Sequence, residues 1–453
     1  MVKNLLGMVE DKSARVCILG IGYVGLPLSI IIAQAGYKVL CGEVSEKKIN
    51  LLNRGLNPLP ELKEIDGNKL KCLVEEKRII ASDPETAATN TDIKIICVPT
   101  PMFPDKSPDL TSVKSASRTI GKSLKRGDLV ISESSVGPGM TRKVTCKVLE
   151  ENSGLKAGQD FHVVASPERI DPGNLAHTIE TIPKIIGGVS DSSTSIGKSF
   201  YQKFIEGEIT TVSSLEAAEA TKMLENAYRA LNIGFINEFA KFCDTSGIDI
   251  MEVVRAASTK WSFQPHYPGI GVGGHCITKD PYYLISAAEE AGVELKTLRN
   301  ALWSNESMPH YVFNLLKKDC DEMGLELKTA KVALFGIAYK GDTRDIRNSP
   351  ALIFQNILER QGIATYVYDP LFTEKELKDM GLKTFNLENE QCDIVVIGCD
   401  HPQFKSFDFK QIKSLKLIID GRNILPKQDV PVTGVGTNSN LRRKDAIHHS
   451  TRI

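Results

Sequence analysis

Apolar residues fall along this chain in two strand-like regimes separated by a long stretch of helical period. In the first regime, short β-branched runs recur between amphipathic segments: "RVCILG" (15–20), "KVLCGE" (38–43), "IKIICVP" (93–99), "DLVISES" (128–134), "HVVASPE" (162–168) and "PKIIGGV" (183–189). Runs this apolar predict strands buried on both faces, and their alternation with helical patterns predicts a parallel, doubly wound sheet. From Ser214 to about Thr245 the period becomes helical, with only Gly234 interrupting it. That is roughly twice an average helix, which suggests a span between domains or a partner-binding helix. More helical sequence follows to about Lys318, and from Lys331 the alternation restarts with "KVALFGIAY", "ATYVYDP", "CDIVVIGCD" and "LKLIIDG". The expected architecture is α/β, with two doubly wound parallel-sheet domains joined by a long central helix and a helical middle domain. The expected boundaries are 1–212, 213–320 and 321–440. The polar, aperiodic residues 441–453 are expected to be disordered.

Length and charge narrow the class. At 453 residues the chain exceeds one ordinary core, so two or three domains are expected. Lys+Arg and Asp+Glu balance at 56 each, which leaves no global field to attract nucleic acid or an anionic membrane. No run of about 18 apolar residues exists, and "MVKNLLGMVEDKSARV" lacks the apolar core of a signal peptide, so a soluble, cytoplasmic protein is expected. The 10 cysteines are scattered singly with no C-x-x-C pair. Reduced thiols are expected, most of them small core residues, rather than a disulfide framework or a zinc site.

"GIGYVG" carries Gly20, Gly22, Tyr23, Val24 and Gly25 between a predicted strand and an apolar helix. Glycines there permit a tight turn and close approach of backbone amides to a pyrophosphate, which the helix N-terminus favours electrostatically. Glu43 ends the next strand, where it can accept hydrogen bonds from an adenosine ribose and would repel a 2′-phosphate. The cofactor expected is therefore NAD, in a Rossmann-like domain, with Lys48 either touching it or lying on solvated surface.

On the long helix, Glu219, Lys222, Asn226 and Arg229 fall at i, i+3, i+7 and i+10, along one face. Such a stripe is either a solvated face or a site for an anionic or hydroxyl-rich ligand. A second glycine cluster, "PGIGVGGHCITKDPYYL" (268–284), differs in spacing from the first and follows no strand of the right type. His275, Cys276 and Asp280 lack a partner spacing that would complete a metal site, and no metal is expected. What remains is a nucleophilic cysteine, Cys276. Its flanking glycines would give a substrate access to the sulfur, and a carboxylate follows four residues on, set against the plain alternative of one more inert core thiol.

Taken together these stretches resemble the UDP-glucose/GDP-mannose dehydrogenase family from about Arg15 to Leu425. Further family-like segments are "VPTPM" (98–102), "ESSVGPGMT" (133–141), "SPERIDPGN" (166–174), "EATKMLENAYR" (219–229), "GIAYKGDTRDIRNSPAL" (336–352) and "DGRNIL" (420–425). The resemblance implies oxidation of the C6 hydroxymethyl of a nucleotide sugar to a carboxylate with two NAD⁺, through a cysteine thiohemiacetal and thioester. Cys276 occupies the nucleophile position. The resemblance assigns Lys222 to stabilising alkoxide charge with Asn226 as an oxyanion donor, Asp280 to a water or proton relay with Lys222, and Glu168 to thioester hydrolysis. Thr100 and Ser135 match positions lining the nicotinamide, Ser135 standing where Thr is usual. Arg169, Ile170, Lys222, Asn226, Arg229, Gly273, Tyr339, Lys340, Arg347 and Arg422 match substrate positions. A homodimer built on the central helix and an active site between the domains are also implied.

The sugar is less clearly written. "GGHCI" and "DPYYL" resemble members acting on UDP-N-acetylhexosamines. The segment around "STKWSFQPHYPG" (258–269) resembles the UDP-GlcNAc/UDP-GalNAc subgroup, with Lys260, Trp261 and Ser262 near the place of the His-Pro-Arg stretch common in UDP-ManNAc enzymes, whereas Lys279 resembles the UDP-glucose branch. The reading favours UDP-ManNAc or UDP-GlcNAc, with UDP-glucose second, in the supply of surface polysaccharide or glycan precursors. A two-electron dehydrogenase would have no use for Cys276, and a non-catalytic NAD sensor would have none for the Cys276, Lys222 and Asp280 set.

Overall fold

The computed structural model describes residues 4–62, 65–170, 178–388 and 391–437. The expected disordered tail and part of "SPERIDPGN" lie outside them. The chain forms two compact units, one of residues 1–225 with 279–294, the other of 226–278 with 295 onward.

The first unit is built on an eight-stranded sheet. Its strands are β1 (Arg15–Leu19), β2 (Lys38–Gly42), β3 (Ile79–Ser82), β4 (Ile93–Ile96), β5 (Leu129–Ser132), β6 (His162–Ala165), β7 (Lys184–Gly188) and β8 (Ile209–Val212). Their order is β3-β2-β1-β4-β5-β6-β7-β8, and every pair is parallel except β6 with β7. Residues of β1 alternate between two apolar cores: Val16 and Ile18 enter one, Cys17 and Leu19 the other. Two-sided burial is why these strands read as unbroken apolar runs.

The second unit carries β9 (Lys331–Phe335), β10 (Ala364–Tyr368), β11 (Ile394–Ile397), β12 (Leu417–Asp420) and β13 (Val432–Gly434), all parallel in the order β10-β9-β11-β12-β13. Val332 and Leu334 face one core, Ala333 and Phe335 the other.

Three strands lie outside the sequence expectation: β3, β8 and β13. All three are edge strands. An edge strand has one neighbour and needs less apolar sequence, as the exposed Ile80, Thr210 and Thr211 illustrate. The antiparallel β6–β7 pair is a second departure from an all-parallel sheet.

The long helix runs Leu215–Ser246, 32 residues, as its period predicts. Gly234 does not break it. A Cβ there would stand 2.6 Å from the Ala301 carbonyl, so the glycine permits close crossing by the helix Lys296–Met323.

Candidate functional site

The turn after β1 has the shape a dinucleotide needs. Gly20 adopts φ +99°, and a Cβ on it would meet the Cys97 carbonyl at 2.7 Å. A Cβ on Gly25 would run into the Gly20 carbonyl, whereas Gly22 faces open space. Two glycines thus close the turn, and the third leaves clear the approach to the N-terminus of the helix Gly25–Gln34. Tyr23 and Val24 lie within that turn. Glu43 is buried; it accepts from the amides of Ile21 (3.2 Å), Val44 (2.9 Å) and Ser45 (3.1 Å), tying the glycine turn to the end of β2. Lys48 joins them, with Nζ 3.5 Å from Glu43 and 3.3 Å from the Ile21 carbonyl, so it belongs to this turn rather than to a solvated helix face.

Thr100 and Ser135, far apart in sequence, are brought together. Thr100 Oγ1 donates to the Ser135 carbonyl at 2.9 Å and accepts from Lys279 Nζ at 2.9 Å. Lys279 precedes the helix Asp280–Glu290, and Asp280, fully buried in its first turn, lies 3.3 Å from Lys279 Nζ. A carboxylate at a helix N-terminus is favoured by the helix dipole. The same helix is fastened by Tyr283 Oη donating to the Pro101 carbonyl at 2.8 Å.

Of the polar stripe on the long helix, Glu219, Lys222 and Asn226 are buried and Arg229 is exposed, so the solvated-face reading holds only for Arg229. Glu219 accepts from the amides of Gly139 (2.6 Å) and Thr141 (2.7 Å), in the loop that follows Ser135. Burial pushes its carboxyl up to about 7 against those two bonds.

Glu168 sits in a buried charge cluster absent from the sequence reading. Its Oε1 accepts from the amides of Arg169 (2.6 Å) and Ile170 (2.9 Å), and its Oε2 from Lys184 Nζ at 2.8 Å. Lys184 also reaches both oxygens of Glu133 at 2.8 Å, and Tyr201 Oη donates to Glu133. Burial opposes ionisation of Glu168, but Lys184, the Arg169 amide and the Lys222 charge outweigh it and hold the carboxyl below its ordinary range. At Glu133 burial prevails over Lys184 and pushes the carboxyl up to about 7. A signal for this cluster existed: Lys184 and Glu133 are charges at the ends of strands otherwise buried on both faces. Arg169 pairs with Glu225 at 2.5 Å, and Ile170 packs on the apolar core.

The cysteine loop belongs to the second unit. Seven cysteines are buried, Cys72 is exposed, and Cys97 and Cys276 are intermediate. Burial pushes up the thiols of Cys17, Cys41, Cys97, Cys146 and Cys399. Gly273 and Gly274, expected to clear space for a substrate, are instead pressed on the chain's own Tyr339. A Cβ on Gly273 would stand 2.6 Å from Tyr339 Cβ and 2.8 Å from the Asn348 carbonyl, and one on Gly274 2.8 Å from the Tyr339 ring. Asn348, missed by the sequence reading, donates to the Gly274 carbonyl (3.0 Å) and to Thr278 Oγ1 (3.1 Å), one on each side of Cys276. Lys340 follows Tyr339 in the loop after β9, where the Gly341 amide donates to Asp400 at 2.9 Å. Arg347 is exposed and grips Asp345 through two nitrogens, and Arg422 lies 3.5 Å from Asp400. Among the described residues no group of three or more His, Cys, Asp or Glu could hold a metal, and no helix is long and apolar enough to cross a membrane.

Three sequence models of the UDP-glucose/GDP-mannose dehydrogenase family match the chain: the NAD binding domain over 14–205, the central domain over 216–307 and the UDP binding domain over 333–427. A UDP-N-acetyl-D-mannosamine dehydrogenase of Pyrococcus horikoshii is 37% identical over 421 residues, spanning 92% of this chain and 97% of its own. A UDP-N-acetyl-D-glucosamine 6-dehydrogenase of Pseudomonas aeruginosa is 34% identical, spanning 89% and 94%. The solved structure of a UDP-D-ManNAc dehydrogenase from Pyrococcus horikoshii superimposes with a TM-score of 0.84 at 35% identity, covering 93% of this chain and 99% of that one.

Proposed function

Because this chain belongs to the UDP-glucose/GDP-mannose dehydrogenase family and is an NAD-dependent nucleotide-sugar 6-dehydrogenase, we propose that it oxidises a UDP-N-acetylhexosamine to the 6-uronate through a thioester on Cys276. The proposed substrates are UDP-ManNAc and UDP-GlcNAc, on which the relatives named above act by their names. A single observation carries the mechanistic part. Cys276 is the partly exposed thiol of a loop fixed at both ends by Asn348, while most other cysteines are core residues.

The open side of Gly22 and the buried carboxylate Glu43 suit a dinucleotide at the first unit. NAD⁺ held there would supply the hydride acceptor for both oxidations. The residues divide the remaining work. Lys222 and Asn226 stabilise the oxygen of the alcohol as it loses its proton and of the aldehyde as it is attacked. The Cys276 thiolate adds to the aldehyde, and the C=O π electrons become an oxyanion beside the C–H bond the aldehyde already has, so a second hydride can leave to give the thioester. Asp280 relays the proton with Lys222, and Glu168 serves the hydrolysis that returns the free thiol. Arg229, Arg347, Arg422 and Lys340 supply cations for the pyrophosphate, where arginine can bind two oxygens at once.

A homodimer through the helix Leu215–Ser246 is part of the proposal. Leu224 (64% exposed), Tyr228 (50%), Phe235 (61%) and Phe242 (52%) fall within about 40° of arc on an ideal helix, an apolar stripe of the kind that covers itself by association. A cytoplasmic role in making uronate precursors for surface polysaccharide or glycan is part of the same proposal.

The deciding assay counts NADH released per sugar consumed across UDP-ManNAc, UDP-GlcNAc, UDP-GalNAc and UDP-glucose. Two per amino sugar is expected. Release of one, or turnover of UDP-glucose alone, rejects the corresponding part. Cys276→Ala is expected to make no uronate.

A further inference from the structure

We propose that Lys184 and Glu133 are positioning residues that set the orientation and basicity of Glu168 for hydrolysis of the acyl-enzyme, an inference that rests on the thioester reading above. The geometry is that of a carboxylate with its first-line bonds already made. Glu168 Oε1 is taken by two backbone amides and Oε2 by Lys184, so the carboxylate cannot rotate, and only its remaining lone-pair directions can receive a water. Lys184 is shared: two of its three N–H bonds are directed at Glu133, leaving one for Glu168. Lys184, Glu133 and Glu168 are all buried, with relative side-chain exposures of 1%, 0% and 5%. Two carboxylates around one ammonium leave the cluster with an excess negative charge when all are ionised, which makes Glu168 a better base than an isolated Lys–Glu pair would.

In the hydrolysis step the water oxygen bonds to the thioester carbon and the water proton passes to Glu168. The C–S bond then breaks, with its electron pair going to the Cys276 sulfur. Nothing is oxidised or reduced. The charged and titratable groups facing Glu168 are Lys184 on β7, Glu133 after β5, Cys97 after β4, and Lys222 on the long helix. Tyr201 reaches the cluster through Glu133, and Arg169 is occupied by Glu225.

The signs of two substitutions follow. Glu133→Gln fixes that side chain in its neutral form, so the gain in Glu168 basicity as Glu133 ionises through about pH 7, and the rise in hydrolysis that accompanies it, are lost. Lys184→Met removes the cation that holds the Glu168 carboxyl low, so the acid limb moves up into the assayed range. Lys184→Arg keeps charge and donors and is expected to restore the wild-type limb. The experiment mixes enzyme, NAD⁺ and the UDP-sugar that releases two NADH, quenches on the millisecond to second scale, and follows the Cys276 thioester by intact-protein mass between about pH 5 and 9. Loss of the rise near pH 7 in Glu133→Gln and an acid limb displaced upward in Lys184→Met are expected, because a purely structural role would slow both without changing the shape of either profile. Profiles that keep the wild-type shape in both variants overturn the proposal. If Lys184→Met fails to fold because two buried carboxylates lose their cation, Glu133→Gln decides alone: a rise near pH 7 that persists in it rejects the proposal. A wild-type enzyme that releases two NADH without a Cys276 thioester overturns the nucleophile reading. A thioester whose decay ignores both substitutions overturns only this inference.

Discussion

The side-chain amide of Asn348 donates to the Gly274 carbonyl at 3.0 Å, two residues before Cys276, and to Thr278 Oγ1 two residues after it. Asn348 itself sits at φ +52°, where asparagine is one of the few side chains tolerated. Asn348→Gly keeps the backbone and deletes both bonds, and Asn348→Asp turns a donor into an acceptor facing a carbonyl. At about 1 kcal/mol per hydrogen bond, kcat is expected to fall roughly five- to thirtyfold, as one or both bonds act in the rate-limiting step, with a smaller change in the KM for the UDP-sugar. Alkylation of Cys276 by iodoacetamide should change in rate for the same variants. Wild-type kcat and alkylation in Asn348→Gly would show that only the backbone matters.

Gly273→Ala separates two roles for a glycine. Its Cβ would stand 2.6 Å from Tyr339 Cβ and 2.8 Å from a carbonyl, so neighbouring backbone must move. A loss of about 1–3 kcal/mol in denaturant unfolding is expected. Unchanged stability with a raised KM would instead return the glycine to the substrate.

Glu43→Gln probes the cofactor turn. The carboxylate holds three backbone amides and Lys48, and a ribose hydroxyl bonded to it would gain a charge-assisted bond worth roughly 1.5–3 kcal/mol. The expected result is an NAD⁺ KM at least about tenfold higher, with weaker rejection of NADP⁺. Parallel losses for both cofactors would contradict a role in discrimination.

Glu219 links pH to stability. Its carboxyl is raised by burial to about 7 in the folded chain, so between an ordinary carboxylate value near 4.5 and about 7 the native state holds a proton that the unfolded chain releases. Stability from this group is therefore present at the acid end and declines as pH rises through that window, by at most roughly 3 kcal/mol. Urea unfolding from pH 5 to 8 should show the decline in the wild type and a flatter profile in Glu219→Gln. Equal slopes in both would exclude Glu219 as the source.

Phe235→Glu and Phe242→Glu place charges on the exposed stripe of the long helix. Light scattering is expected to report half the wild-type mass for each. Retention of the wild-type mass would move the interface elsewhere.

The buried strands, the long helix, the first glycine turn and the segments carrying Cys276, Lys222 and Asp280 were all legible in the chain. Each is fixed by local period or by contiguous spacing, and both survive without knowledge of what packs where. The edge strands β3, β8 and β13 were not legible, because an edge relaxes the apolar pattern that marks a strand. The pairing of Thr100 with Ser135, the convergence of Glu133, Lys184 and Tyr201 on Glu168, and the grip of Asn348 on the cysteine loop belong to the tertiary structure alone. They join residues from about 15 to 75 positions apart, and burial of charge is affordable only where the fold brings compensating partners together. Even the glycines beside Cys276 changed meaning. Sequence marked a place without side chains, and only packing revealed that Tyr339 and Asn348 fill it.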